Sequence, residues 1–275
     1  MSRLAVLATS ALVMVTCLLG GCASTGAEPL PFVAFSDFEV GQFGGVGGRQ
    51  NVLRVRTDGV AILMSPQPAS GRFAASTVDR LRTLLESEEL RREAAAAAAK
   101  DAEQRVPKCA DLFSTAVTMG DLHLSVAEPC GSDAGPPTPA FDEIVTLTAA
   151  ALRGEFDGPV DSREPKLRAL ELERAAYGDH VAFTITVDPD GRSTLSYAGH
   201  VRRRLTLDAA DRDTLRLLVA RLVEVPTQPC TMKSYSRLTI TGVPASSGRD
   251  CSFDSRFREY GAVAHLLQRA LSVEI

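Results

Sequence analysis

The sequence predicts an α+β fold of two tandem β-β-α-β-β-α units, each an antiparallel sheet covered by helices and closed by one disulfide. Three observations predict it. Short segments alternate apolar and polar residues with period two: Leu53 and Val55 with Arg54 and Arg56, then Phe183, Ile185 and Val187 with Thr184 and Thr186. The two halves of the chain correspond: Phe35–Val40 with Leu167–Leu172, Asn51–Gly59 with Phe183–Gly191, and Leu81–Leu85 with Leu215–Val219. Four cysteines form two equally spaced pairs, Cys109 with Cys130 and Cys230 with Cys251. A length of 275 residues holds roughly two domains. Composition is globular, with 45% hydrophobic and 23% charged residues, which argues against a disordered or multiply membrane-spanning chain. A formal charge of −4 leaves no net positive field for nucleic-acid phosphates. With no Trp and 5% aromatics, no stacking platform for bases or sugars is expected.

Residues 1–21 read as a signal peptide. Met1-Ser2-Arg3 is a basic start, and an apolar run follows from Leu4 to Leu19. The run stops at Gly20, short of the roughly 20 apolar residues that span a bilayer. Leu19-Gly20-Gly21-Cys22 resembles the lipobox of bacterial lipoproteins, an aliphatic residue and two small ones before an invariant Cys. The resemblance implies cleavage before Cys22, a diacylglycerol thioether on its sulfur and acylation of the new amine. Several acyl chains together hold a protein on a bilayer where one alone is marginal. Residues 22–31 then form a tether. The expected location is the cell membrane or envelope, lipid-anchored and facing outside the cytoplasm.

The first unit is expected at residues 32–152. A strand near Phe35–Val40 leads into the glycine-rich stretch Phe43-Gly44-Gly45-Val46-Gly47-Gly48, then a second strand and a turn at Asp58-Gly59. Leu81–Leu85 marks a helix. The alanine-rich stretch Arg91–Arg105 has no counterpart in the second half and predicts an extension of that helix, a solvated spacer stopped before Pro107. Strands at 111–119 and 121–127 flank Gly120-Asp121. A register pairing Phe113 with Val126 and Val117 with Leu122 also sets Cys109 opposite Cys130, although it leaves Met119 in a loop position that usually wants positive φ. Four cysteines allow three connectivities, and the equal spacing favours 109–130 with 230–251. A bridge closing a loop of this size contributes about 3 kcal/mol. Ile144, Leu147, Ala151 and Leu152 mark the closing helix.

Residues 153–165 read as a linker rich in turn residues and charge. The second unit, 166–275, repeats the order and ends on a helix carrying Val263, Leu266, Leu267, Ala270 and Leu271. Strands in both units are expected to keep one buried and one wet face.

No catalytic constellation is found. His123, His180, His200 and His265 are isolated, and there is no His-Glu-x-x-His, Gly-x-Ser-x-Gly or Ser-x-x-Lys motif. The glycine stretch leads into a strand, so no helix dipole waits for phosphate. Asp188-Pro189-Asp190-Gly191 reads as a hairpin turn rather than a calcium loop. No metal is expected at the cysteines, which lack Cys-x-x-Cys pairs and nearby histidines. The expectation is a protein that is not an enzyme, without cofactor.

The glycine stretch after the first strand, the Asp58-Gly59 turn, the Leu-rich helix and the hairpin after Cys109-Ala110-Asp111 together resemble the emfourin family. These are small bacterial α+β proteins with a Gly-Gly-Phe-Ala-Gly-like loop, and the type member inhibits thermolysin-like zinc metallopeptidases. Val46 stands where that family has an aromatic, and Gly47 where it has Ala. In the second half the loop becomes Ala176-Tyr177-Gly178-Asp179-His180. The resemblance implies a membrane-anchored binding protein, an inhibitor of such peptidases, with Phe43, Gly44, Gly45, Val46, Gly47 and Gly48 as the partner-binding loop. The competing expectation is a structural or interaction lipoprotein of the envelope with no protease target.

Overall fold

A computed structural model describes residues 32–44, 49–103, 114–127, 139–160, 165–175, 181–224, 236–243, 246–248 and 256–273. The strands of the first half are β1 (Phe38–Gly44), β2 (Arg49–Val55), β3 (Val60–Leu63), β4 (Ala69–Arg72), β5 (Ser114–Met119) and β6 (Leu122–Ala127). Its helices are α1 (Ala75–Leu85), α2 (Glu88–Glu103) and α3 (Pro139–Thr148), with a 3-10 turn at Ala151–Arg153. The second half holds β7 (Leu170–Arg174), β8 (Phe183–Val187), β9 (Arg192–Tyr197), β10 (His200–Thr206), β11 (Ser236–Ile240) and β12 (Ser246–Gly248). Its helices are α4 (Ala209–Glu224) and α5 (Arg256–Ala270).

The strands make two six-stranded antiparallel sheets of identical order, β4-β3-β2-β1-β5-β6 and β10-β9-β8-β7-β11-β12. The fold class is therefore α+β with two antiparallel sheets, as the sequence predicts. The unit pattern differs: four strands, not two, precede the first helix of each half. The missed strands are β3 and β4, and β9 and β10. The tight turns at Gly59 (φ +83°) and Gly191 (φ +82°) double each chain back into a further hairpin, a conformation glycine adopts without strain. In each half the residue two positions before the helix closes onto that turn, with Phe73 N–H donating to Gly59 O and Leu207 N–H to Gly191 O.

Two cores explain the layering. Phe38, Val40, Leu53, Val55, Ala61, Leu63, Val117 and Leu124 on one face of the first sheet pack against α1, α2 and α3. On its other face, Val52, Val60, Ile62 and Met64 join a second core with α4, α5 and the inner face of the second sheet. The order of layers is thus helices, sheet, helices, sheet, and residues Val33–Ile275 form one compact unit. The expectation of one wet face per strand holds for the second sheet and fails for β3, all four residues of which are buried. Its Val-Ala-Ile-Leu sequence has no polar position to turn outward.

Helix α4 shows the same logic. Six consecutive residues, Thr214 to Val219, are buried. A helix segment buried all round belongs between two layers, and here Arg216, the one charged residue of the run, pairs with Asp213 at 3.0 Å. The described first part of the expected linker, residues 153–160, is also packed. Its Phe156 packs on the first core and its Val160 joins the second.

Two further expectations are corrected. The described part of the alanine-rich stretch, residues 91–103, does not extend the first helix: α1 ends at Leu85, and Ser87 begins α2 with its hydroxyl accepting the Leu90 N–H at 3.2 Å. Helix α2 is solvated on one side, with Arg92, Ala95, Ala96, Ala98 and Ala99 exposed, but it is more than a spacer. Leu90 and Ala94 are buried in the first core, and small alanines let the helix lie close to β6. The β5–β6 hairpin pairs Val117 with Leu124 and Met119 with Leu122, two residues away from the expected register. Gly120 (φ +55°) and Asp121 make the two-residue turn, and Met119 enters the core instead of the loop. That register removes the argument setting Cys109 opposite Cys130. Cys22, Cys109, Cys130, Cys230 and Cys251 lie outside the described residues.

Because α4 serves both sheets, damage to it should unfold both halves together. Leu218 is fully buried in the shared core. Leu218→Ala is expected to cost about 2–5 kcal/mol, read by urea unfolding as one earlier transition rather than two separated ones.

Candidate functional site

The glycine stretch falls at the end of a β-hairpin. β1 and β2 pair over seven positions, from Phe38 with Val55 to Gly44 with Arg49. Gly44 holds φ +120°, open to glycine and strained for other residues. Gly45, Val46, Gly47 and Gly48 lie outside the described residues. Phe43 is a stem residue. Its side chain is partly buried against the second core, and the Arg258 guanidinium carbon sits 5.6 Å from the ring centroid. The ring covers Gly41 so closely that a Cβ there would lie 2.3 Å from it. Gly41 is therefore the residue that lets Phe43 fold down and anchor the hairpin to α5.

Beside this anchor lies a network of charges that the sequence reading missed. On β1, Glu39 pairs with Arg54 of β2 at 3.2 Å and with Arg258 of α5 at 3.4 Å. Glu259 of α5 lies 3.8 Å from Arg54 and 3.6 Å from Arg221 of α4. Glu259 is 3% exposed, and its desolvation pushes its carboxyl above the ordinary glutamate range. The nearby Glu39 charge pushes the same way, while Arg54 and Arg221 oppose it. Nothing in the sequence marks these five residues as neighbours, because they come from four separate elements.

The outer face of the second sheet carries an open trough of about 860 Å³. A row of side chains crosses its floor: Thr239, Glu171, Thr186, Thr194 and Arg204 occupy paired positions on five adjacent strands. The row offers hydroxyls, one carboxylate and one guanidinium, so it can make hydrogen bonds but presents no ring for stacking. Asp188, at one end, is committed to a turn. It accepts the N–H groups of Arg192 at 2.8 Å and Asp190 at 2.9 Å, which hold its carboxyl below the ordinary range. Asp188–Gly191 is thus the β8–β9 hairpin turn that the sequence predicts.

The described histidines are dispersed: His123 on β6 bonds Thr118 at 3.0 Å, His200 opens β10, and His265 lies exposed on α5. His180 lies outside the described residues. Among the described residues no cluster of His, Cys, Asp and Glu could hold a metal ion, and no helix is long and apolar enough to cross a membrane.

Glu259 yields a pH test. Its folded-state affinity for a proton exceeds that of the unfolded chain, so the stability it contributes is fully present in acid and is lost as pH rises through its folded pKa. Glu259→Gln keeps the shape and removes this titration. Its stability relative to the parent protein should improve as pH rises above the ordinary glutamate pKa of about 4, measured by urea unfolding at a series of pH values.

No protein-family model, curated protein or solved structure matches the chain.

Proposed function

We propose that this chain is an exported lipoprotein, anchored through acylated Cys22, that acts as a non-enzymatic binding protein at the cell membrane or envelope. The observation that carries the reading is the β1–β2 hairpin: a seven-pair stem, clamped between two helical layers, presents a four-residue connection rich in glycine. A stem fixed by Phe43 and Gly41 loses little conformational entropy when its tip meets a partner. The proposed target is a thermolysin-like metallopeptidase, on the strength of the emfourin resemblance of the same loop. Disulfides 109–130 and 230–251 belong to the proposal and rest on equal spacing and export. The second reading, an interaction lipoprotein with no protease target, is favoured by the open trough on the second sheet, whose floor carries a row of hydroxyl and charged side chains.

The mature chain with Cys22→Ser should inhibit a thermolysin-like protease stoichiometrically in a titration. Replacing Gly45 and Gly47 by Ala should then weaken inhibition while leaving the thermal unfolding midpoint in place. Absence of inhibition across several such proteases would leave the second reading.

Peptide mapping of the exported protein without reductant should recover Cys109 linked to Cys130 and Cys230 linked to Cys251. Recovery of free thiols or crossed pairs would discard the proposed bridges.

A further inference from the structure

The two sheets have the same strand order but treat their edges differently. At the first sheet's outer edge, β4 is covered by the chain's own segment Glu155–Gly158. Arg72 N–H donates to Gly158 O at 2.8 Å, and Arg72 O accepts the N–H groups of Asp157 at 3.0 Å and Gly158 at 3.2 Å. The Asp157 carboxylate accepts the Ala74 N–H at 2.7 Å, and Phe156 lies against Gly71. β6, the opposite edge, lies under α2. In the second sheet, β12 is an edge of only three residues. The other edge, β10, is seven residues long, and among the described residues it pairs with β9 alone.

β10 stands where β4 stands. Phe73 and Leu207 make the same backbone bond to Gly59 and Gly191, so Thr206 occupies the position of Arg72. In an antiparallel ladder the outward-pointing backbone groups recur at every second residue. The N–H and C=O of Thr206 therefore point away from β9, as do those of Arg204. The side chains differ as well. Leu205 replaces Gly71 and packs into the second core, filling the place Phe156 takes in the first half. Asp208 replaces Ala74 and accepts the Asp211 N–H of its own helix at 2.7 Å, so it needs no carboxylate from outside. Positive charge takes over along the strand. Arg202 and Arg204 are exposed and have no ionic or hydrogen-bonded partner among the described residues, while Arg203 turns inward to Leu271 O at 3.0 Å.

We propose that the free edge of β10 is a docking edge for an extended acidic segment of another protein, which adds as a further strand. The backbone of Thr206 and Arg204 supplies the ladder, as Arg72 does within the chain, and Arg202 and Arg204 receive carboxylates. A second copy of this chain is disfavoured, because pairing two such edges sets arginines against arginines. Charged edges and bulges ordinarily guard a sheet from strangers. Here the bulge between Val201 and Arg203 breaks the register at one end and leaves Arg204–Thr206 regular. Strand addition draws affinity from main-chain bonds and specificity from the side chains flanking them.

The test uses the mature chain with Cys22→Ser and a short fluorescein-labelled peptide of alternating Glu and Thr. Anisotropy should rise saturably and weaken with salt. Joint Arg202→Glu and Arg204→Glu should weaken binding by about tenfold or more. Thr206→Pro removes one outward N–H and leaves the β9 pairing, so it should weaken binding while the thermal unfolding midpoint stays. Should that variant fail to fold, a peptide N-methylated at alternate residues tests the same bonds on the intact protein and should not bind. Equal binding of a Lys-Thr peptide, undiminished binding of the N-methylated peptide, or no binding would overturn the proposal. Self-association abolished by N-methylated competitor would overturn it too, in favour of a second copy.

Discussion

Everything in this molecule depends on one helical layer being apolar on two sides. α4 and α5 lie between the sheets, and the residues they bury come from around the helix rather than from one stripe. Each Å² of apolar surface removed from water is worth about 25 cal/mol, and this layer removes it twice, once from each sheet. The first sheet cannot be content alone, because Val52, Val60, Ile62 and Met64 would face water. The second sheet needs the same helices for Leu172, Ile185 and Leu238. Sharing a layer makes two similar sheets into one cooperative body.

Electrostatics adds direction to that packing. Ser70 and Thr214 share a hydrogen bond of 2.9 Å, Arg269 pairs with Asp211 and donates to Pro68 O at 3.3 Å, and the Glu39–Arg54–Glu259–Arg221 network spans sheet and helices. Buried charges are poor sources of net stability, since desolvation offsets their attraction. Their geometry does fix which face of α5 meets β1 and β2. The same contact places Arg258 over Phe43, so the docking of the halves and the footing of the glycine hairpin are one arrangement.

Duplicate topology comes with unequal edges. The first half is enclosed, with helices on both faces and its outer edge closed by 155–158. In the second half, among the described residues, one face of the sheet carries the open trough and β10 pairs with β9 alone. Both proposed binding surfaces, the hairpin end of the first sheet and the outer strand of the second, lie at the margins of these layers, while the middle layers serve stability.

The sequence by itself determined the fold class, the correspondence of the halves and most of the strands that alternate cleanly, because period-two patterning is a local property of the chain. Phe183–Val187 and Leu53–Val55 were legible for that reason. The run Leu215–Val219 is legible in the sequence only as the counterpart of the helix at Leu81–Leu85; that its residues are buried against two sheets follows from the packing of the layers. Short strands such as Ala69–Arg72 carry no periodicity and exist only because β3 offers them a ladder. The candidate hairpin was visible as glycine content, whereas its footing on Arg258 was not, since residues 43 and 258 meet only through the packing of the halves. The charge network and the free edge of β10 are likewise products of tertiary structure: which charges meet, and which edge stays open, follow from how the layers stack.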